Sequence, residues 1–192
     1  AARDSFLSNA KNYLVTERGI SEELAAFFLN AGNVYEEASH HNVVFVGRDK
    51  DNIPRHAHTR ATSMEKPFKH TISSSKPEYS FHWTNPNSDK LYFFEAPIDM
   101  LSFISMNKWN WQLHSYVAAC SVSDKPLMKS LDKDVAFGYE CIDYILVESA
   151  VTEQIFQHSV HRPVAARNSE RLLGLFYNGR KVFSCYITVE QT

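Results

Sequence analysis

An acidic residue stands directly behind a run of four apolar residues near the middle of this 192-residue chain. The run, Leu91 to Phe94, predicts a buried strand that ends at Glu95, and Asp99 follows four residues later. Ala96 and Pro97 form the turn between them, because proline lacks an N–H and suits the first helical position. Carboxylates at the carboxyl end of a strand, beside a helix start, lie where open α/β sheets place their chemistry. Glu95 is therefore a candidate acid or base, and Asp99 either supports it as a metal ligand or only complements the helix dipole.

Composition restricts the class of protein. Hydrophobic residues make up 44% of the chain and aromatic residues 13%, which is ample for a packed core. A net charge of −2 argues against a protein that coats nucleic acid non-specifically. Three widely spaced cysteines without a CxxC motif fit neither a disulfide framework nor a zinc site. With no apolar run near the roughly 20 residues of a membrane span and no signal peptide at its start, we expect a cytoplasmic protein without membrane contact.

The hydrophobic pattern of the first third predicts two helices and a hairpin. Helices are expected over 4–17, ending at Gly19, and from Ser21 onward, with the Ser21 side chain as the cap. The runs 42–47 and 53–59 are separated by turn residues and predict paired strands. Residues 60–78 are polar and predict a loop.

From residue 79 onward the pattern alternates between strands and helices. A strand–helix–strand order beginning at residue 91 predicts a sheet with parallel strands and right-handed crossovers. Asn178 and Gly179 between two β runs predict a C-terminal hairpin with a type I′ turn. The expected strands are 79–84, 91–94, 115–119, 142–147, 172–177 and 181–189, and the expected helices are 97–106, 126–131 and 152–158.

Basic residues are concentrated in the first part of the chain. Arg18, Lys50 and the candidate nucleic-acid contacts Arg48, Arg55 and Arg60 make this part locally basic, which predicts either a phosphate-contacting surface or a solvated face. A further candidate contact is Lys69, one of three lysines in the 60–78 loop that are spaced to follow a nucleic-acid backbone.

Two other patterns carry weaker expectations. His56 and His58 lie two apart in an expected strand and so share a face, which we expect to be exposed to solvent. Tyr79, Phe81 and Trp83 share a strand face too; packing in the core is expected there rather than stacking on bases.

Several short motifs in order resemble the primase-like toprim proteins of bacteria, which are often encoded on mobile elements. The motifs are YLVTERGIS at 13–21, HNVVFVGRD at 41–49, PRHA at 54–57, YSFHWT at 79–84 and the segment 91–103. The first three resemble the small domain that precedes the toprim domain, and the last two its first strand and helix. Toprim domains are a metal-binding phosphoryl-transfer fold of primases, topoisomerases and some nucleases. The resemblance implies that Glu95 is the general acid or base.

The family's second acidic motif, an Asp-x-Asp that holds magnesium, has no clean match. By letters it is similar to Asp132-Lys133-Asp134, but the residues before this segment have helical rather than strand spacing. By position it falls after the expected strand 142–147, where Glu148 stands alone. The metal site therefore uses Asp132 and Asp134 from a loop, or uses Glu148 in a reduced arrangement, or is lost.

The residues and the resemblance together predict an α/β protein: a small α+β N-terminal module over 1–84, then a toprim-like Rossmannoid sheet with a C-terminal hairpin over 85–192. The expected function is primase- or nuclease-type phosphoryl transfer on DNA or RNA, with Mg²⁺ held by Glu95, Asp99, Asp132 and Asp134. The alternative is a catalytically degenerate module that binds DNA or a protein partner, such as a component of a mobile-element replication or transfer complex.

Overall fold

The computed structural model of the chain contains two β-sheets with helices packed against them. Within the part of the chain it describes, no helix has the length and apolar character needed to cross a bilayer. For the strands beyond residue 140 the description covers the backbone pairing. The described residues are 8–63, 65, 67–88, 90–120, 125–130, 141–147, 172–177 and 180–188.

The chain begins with two helical segments. Helix α1 (Ser8–Asn12) continues into a wider π-helical segment, Tyr13–Glu17, and Gly19 then breaks the helix with a φ of 68°. The expected end at Gly19 is confirmed, whereas the expected uniform helix is wrong for 13–17. Helix α2 (Glu22–Asn30) follows, but the Ser21 side chain makes no capping hydrogen bond. That part of the prediction is wrong.

The first sheet is antiparallel with strand order β1-β2-β3-β4. The predicted hairpin is confirmed, because β2 (Val43–Arg48) pairs with β3 (Pro54–Arg60) across the expected turn. The prediction of an uninterrupted loop over 60–78 is wrong. It contains β4 (Lys69–Thr71), which pairs with β3, and a 3₁₀ turn at Pro77–Tyr79. The remaining strand, β1, spans Val34–Glu36.

The second sheet has six strands in the order β5-β7-β6-β8-β10-β9. Its central strand β6 runs parallel to β7 and β8, and the other pairs are antiparallel. The strand expected over 79–84 is reduced to two residues in β5, and the helix expected over 152–158 lies outside the described residues. The elements are β5 (His82–Trp83), β6 (Lys90–Phe94), α3 (Pro97–Met106), a 3₁₀ turn (Trp111–Leu113), β7 (Ser115–Ala118), α4 (Lys125–Ser130), β8 (Cys141–Val147), β9 (Leu172–Tyr177) and β10 (Arg180–Thr188).

One hydrophobic core connects the two sheets. Phe28 of α2 and Phe45 of β2 each place a ring 5.4 Å from the ring of Phe81, which is fully buried. Phe94 of β6 belongs to the same cluster. The expectation of core packing is confirmed for Phe81 and in part for Trp83, whereas Tyr79 lies half-buried in the 3₁₀ turn before the strand. Because aromatic side chains bury large areas, this cluster fixes the position of the first sheet against the second.

Gly47 of β2 marks the closest approach of the first sheet to the segment that leads into the second. A Cβ atom placed on Gly47 would lie 1.6 Å from the carbonyl oxygen of Tyr79 and 2.6 Å from that of Ser80. Only glycine leaves room for backbone at this distance. The 77–80 segment therefore lies directly against β2.

Candidate functional site

Glu95 lies where the sequence predicts it, at the carboxyl end of the central strand β6 and just before α3. The backbone here is tied to the chain that leaves the neighbouring β7: Ala119 N–H donates to Phe94 O at 2.8 Å and Cys120 N–H donates to Glu95 O at 3.0 Å. Asp99 lies in the first turn of α3. Both carboxylate residues are half-buried, so they lie at an accessible edge of the sheet.

The end of the first sheet reaches the same edge. Thr71 of β4 donates its hydroxyl to Cys120 O at 3.5 Å, and the Thr71 oxygen lies 2.9 Å from His58 Nδ1 on β3. Cys120 in turn is bonded to Glu95 through the backbone. A short chain of contacts therefore connects β3 and β4 to the strand end that carries Glu95.

Arg60 and Lys69 lie on this inner face of the first sheet. They are opposite partners in the β3–β4 pairing, as are His58 and Thr71, and alternate residues of a strand share a face. The burial of His58 lowers the pKa of its imidazole to about 4, and positive neighbours that include Lys69 and Arg60 add to this effect. Two of the four predicted nucleic-acid contacts, Arg60 and Lys69, thus lie opposite each other, two residues along the strands from the His58–Thr71 pair that reaches Cys120.

Arg60 forms part of a second feature, a pair of guanidinium groups on one phenolic oxygen. The buried Tyr13 hydroxyl accepts hydrogen bonds from Arg18 Nε at 2.8 Å and from Arg60 Nε at 2.7 Å. The Arg18 guanidinium also lies 5.0 Å from the centroid of the Tyr13 ring. Among the described residues neither arginine forms an ion pair with a carboxylate. Two adjacent like charges repel each other, so an anion placed between them gains favourable interaction with both.

Sequence reasoning did not identify this cluster as a site. Arg18 contributed to the local basic charge, and Tyr13 appeared only within the motif at 13–21 that resembles the small domain. The π-helical segment that holds Tyr13 is a local departure from α-helical spacing, and it is decided by packing rather than by residue pattern. An RG pair after a helix shows where that helix ends, but it does not show which strand Arg18 meets.

Arg48 and Arg55 lie on the opposite, outer face of the first sheet. Arg55 Nε donates to Asp49 at 2.7 Å, and Arg48 donates to the backbone carbonyls of Asn52 and Gly32. The structure therefore divides the four predicted nucleic-acid contacts into two pairs on two faces.

The two histidines of β3 are not exposed. His56 is 3% exposed and His58 4%, so the expectation of a solvent-facing pair is wrong. Burial lowers the pKa of His56, like that of His58, to about 4. Both rings are therefore neutral at neutral pH and contribute no charge to anion binding.

The acidic candidates are only partly described. Asp132, Asp134 and Glu148 lie outside the described residues, and within those residues no three His, Cys, Asp or Glu side chains form a cluster. Glu95 and Asp99 provide hard carboxylate oxygens, which suit Mg²⁺ because this ion usually binds one or two carboxylates and completes its shell with water and phosphate. The neighbouring thiol is not a nucleophile, since burial raises the pKa of Cys120 to about 12.

The fold with these features is similar to that of primase catalytic fragments. The primase fragment of the bacteriophage T7 primase-helicase superimposes with a TM-score of 0.54 at 18% identity; the match covers 74% of this chain and 57% of that fragment. The chain thus spans little more than half the length of the T7 fragment. The Escherichia coli primase catalytic core matches with a TM-score of 0.45 at 11% identity, over 81% of this chain and 70% of the core. A DnaG primase catalytic domain bound to ssDNA matches with a TM-score of 0.43 at 11% identity, over 77% and 68%.

The sequence comparisons are sparser. Residues 12–87 match the model of a family described as a protein of unknown function, DUF3991. No curated protein matches the chain. The matched residues run from Tyr13 and Arg18 through the whole first sheet to β5, and they end before β6, the strand that Glu95 follows.

Proposed function

We propose that this chain is a primase-like nucleic-acid-processing protein. In this proposal, the accessible rim of the inner face of the first sheet, at Arg60 and Lys69, holds the phosphates of a DNA or RNA strand, and the Glu95 edge of the second sheet acts on that strand. The observation that supports it most is the chain of contacts from β4 through Thr71 and Cys120 to Glu95. It supports a basic surface close to a strand-end carboxylate, an arrangement that suits phosphoryl transfer.

Phosphate binding is assigned to Arg18, Arg60 and Lys69. The two arginines are held by Tyr13 with their Nε atoms occupied, which leaves the outer N–H groups of each guanidinium for phosphate oxygens. Lys69 is exposed and lies opposite Arg60 in the sheet, so it can neutralise the next phosphate along the strand. Such contacts position a backbone without reading its sequence.

The chemistry is assigned to Glu95, with Asp99 beside it. Bound Mg²⁺ would neutralise developing charge on phosphate oxygens, and Glu95 and Asp99 are the described residues that would hold it. Glu95 is also the residue placed to accept or return the proton of an attacking hydroxyl or water. Asp132 and Asp134 are proposed as further ligands on the strength of their spacing in the sequence.

The architecture proposed for this function has two parts. Residues 1–84 provide the strand-binding surface, and residues 85–192 provide a toprim-like sheet whose parallel strands lead into the acidic edge. The parallel pairing of β6 with β7 and β8 supports a toprim-like arrangement. The proposed cellular role is in the replication or transfer of a mobile element, where the chain would act together with a protein partner.

The binding half of the proposal is tested by fluorescence anisotropy with a labelled oligodeoxythymidine over a series of salt concentrations. Lys69→Gln removes one phosphate contact, so the slope of log K against log salt should become shallower by about 0.7. Lys108→Gln, at the exposed end of α3 away from the Glu95 edge, is the matched control and should leave the slope unchanged. Equal slopes for both variants would exclude the inner face as the binding surface.

The catalytic half is tested with Glu95→Gln in Mg²⁺-dependent primer-synthesis and nuclease assays. Loss of activity of about 100-fold or more, with unchanged oligonucleotide binding, is expected for a general acid or base. Full activity in the variant contradicts the assignment of Glu95. If the wild-type protein binds the oligonucleotide but has neither activity with Mg²⁺, the chain is the non-catalytic binding module that the sequence left as the alternative.

A further inference from the structure

A groove of about 650 Å³ lies on the outer face of the first sheet. The end of α2, with Asn30 and Gly32, forms one wall, and the segment from Ile72 to Lys76 forms the other. Its volume falls within the range of small-molecule sites, about 300–1,000 Å³. Arg55, His56 and Ala57 of β3 line it, whereas Arg18, Arg60 and Lys69 of the proposed strand-binding surface do not.

The fully charged side chains that line this groove are all basic, and one of them, Arg55, is paired with Asp49. Arg48, Arg55 and Lys76 line it, and its lining residues include no aspartate or glutamate. Arg48 is oriented by two backbone carbonyls, those of Asn52 and Gly32, and so it keeps its full charge without a carboxylate partner. Arg55, in β3, forms an ion pair with Asp49 at 2.7 Å, and Asp49 also accepts hydrogen bonds from the N–H groups of Asp51 and Ile53. Arg48 and Lys76 therefore supply most of the groove's uncompensated positive charge.

The floor between these cations is largely apolar. Val46 and Ala57 are opposite partners in the β2–β3 pairing and both face the groove, and the half-buried Tyr35 lies beside them. Burial, and then the nearby charge of Glu37, raise the pKa of the Tyr35 phenol, so it stays neutral at neutral pH and does not repel an anion. A flat ring against Tyr35 and Val46 would place an attached anionic chain within reach of the cations.

We propose that this groove binds a nucleoside polyphosphate, with the phosphates on Arg48, Arg55 and Lys76 and the ring system on Tyr35 and Val46. The walls on both sides favour a compact ligand over a long strand. The inference does not rest on the proposed function, because the groove uses the opposite face of the sheet and none of the residues of the acidic edge.

The test is isothermal titration of the full chain with ATP and with GTP in the presence of EDTA, which suppresses metal-bridged binding at the Glu95 edge. We expect saturable 1:1 binding of at least one of them. Lys76 is exposed and has no ion pair with the described residues, so Lys76→Gln should fold normally and weaken binding about fivefold to tenfold. Tyr35→Leu should weaken the binding of the nucleoside triphosphate but leave the binding of inorganic triphosphate unchanged.

Three results would overturn the inference. The first is no binding of either nucleotide at millimolar concentration. The second is an equal loss with Lys69→Gln, which would move the ligand to the inner face, or with the control Lys108→Gln, which would make the loss a general charge effect. The third is inorganic triphosphate binding as tightly as ATP and GTP, which would remove the nucleoside from the proposal.

Discussion

Replacing Gly47 by alanine tests the close approach on which the arrangement of the two sheets depends. The added Cβ would lie 1.6 Å from Tyr79 O, so β2 and the 77–80 segment would have to separate by about 1.8 Å to reach ordinary contact. The segment cannot move freely, because Lys76 N–H donates to Arg55 O at 2.8 Å on one side and Phe81 is fully buried on the other. Relief of the clash therefore breaks hydrogen bonds or opens the core.

The magnitude follows from these terms. Overpacking typically costs about 1–3 kcal/mol, and each hydrogen bond that is lost adds about 1 kcal/mol. The smaller entropy of the unfolded alanine chain offsets about 0.4–1 kcal/mol. With two hydrogen bonds lost, we expect Gly47→Ala to lower the free energy of unfolding by about 2–4.5 kcal/mol, which corresponds to a melting temperature roughly 10 °C lower for a chain of this size.

The assay is equilibrium urea denaturation combined with a thermal melt, and Gly19→Ala is the matched control. Gly19 has a φ of 68° but nothing lies within 4 Å of the position of its Cβ. Its substitution should cost only about 1–2 kcal/mol, the penalty of the left-handed conformation. A larger loss of stability for Gly19→Ala than for Gly47→Ala would refute the close approach. A Gly47→Ala variant whose stability lies within about 1 kcal/mol of the wild type would refute it as well.

Two further predictions concern stability against pH. In the folded protein His56 and His58 have pKa values of about 4, whereas the same side chains in the unfolded chain take up protons near pH 6.5. The free energy of unfolding should therefore fall as the pH drops from about 6.5 to 4, by about 1.4 kcal/mol per pH unit for each ring. His56 Nδ1 has no hydrogen-bond partner among the described residues, so His56→Leu should halve this slope in urea titrations without loss at pH 7.5, and an unchanged slope contradicts the assignment. The Glu36 carboxylate is 1% exposed, and although burial opposes its charge, hydrogen bonds from Ala10 N–H and other neighbours lower its pKa overall. Glu36→Gln should cost about 1–3 kcal/mol at pH 7. The difference from the wild type should shrink in thermal melts as the pH falls below the ordinary pKa of 4.5 and on through the lowered pKa of the folded protein; a pH-independent difference would show that charge is not the cause.

The elements with strong local patterns could be predicted from the sequence. The NVVFVG run and the turn at 49–52 define the β2–β3 hairpin, and Pro97 after an apolar run defines the start of α3. In both places, side-chain periodicity and backbone chemistry favour the same structure. Glu95 could be placed at its strand end for the same reason.

Other elements are decided by contacts that the sequence does not display. β4 (Lys69–Thr71) has three polar residues and no apolar alternation, and it becomes a strand because β3 offers an unpaired edge. The side of Arg60 follows from its register with Lys69, but Arg55 lies where the β2–β3 register shifts, so counting alternate residues does not decide its side. The sequence does not show which face could bind a ligand, because that depends on the hydrogen bond of Arg60 to Tyr13 and on how the second sheet packs against the first.

The pairing of β5 has a consequence for where the chain can be divided. The family-matched stretch 12–87 includes β5, but His82 of β5 forms its ladder with Val117 of β7, beyond the end of that stretch. A fragment limited to residues 12–87 would lack β7, the only described partner strand of β5, and would expose the buried ring of Phe81. The matched stretch therefore ends inside the second sheet's hydrogen-bond ladder, and not at a boundary between the two sheets.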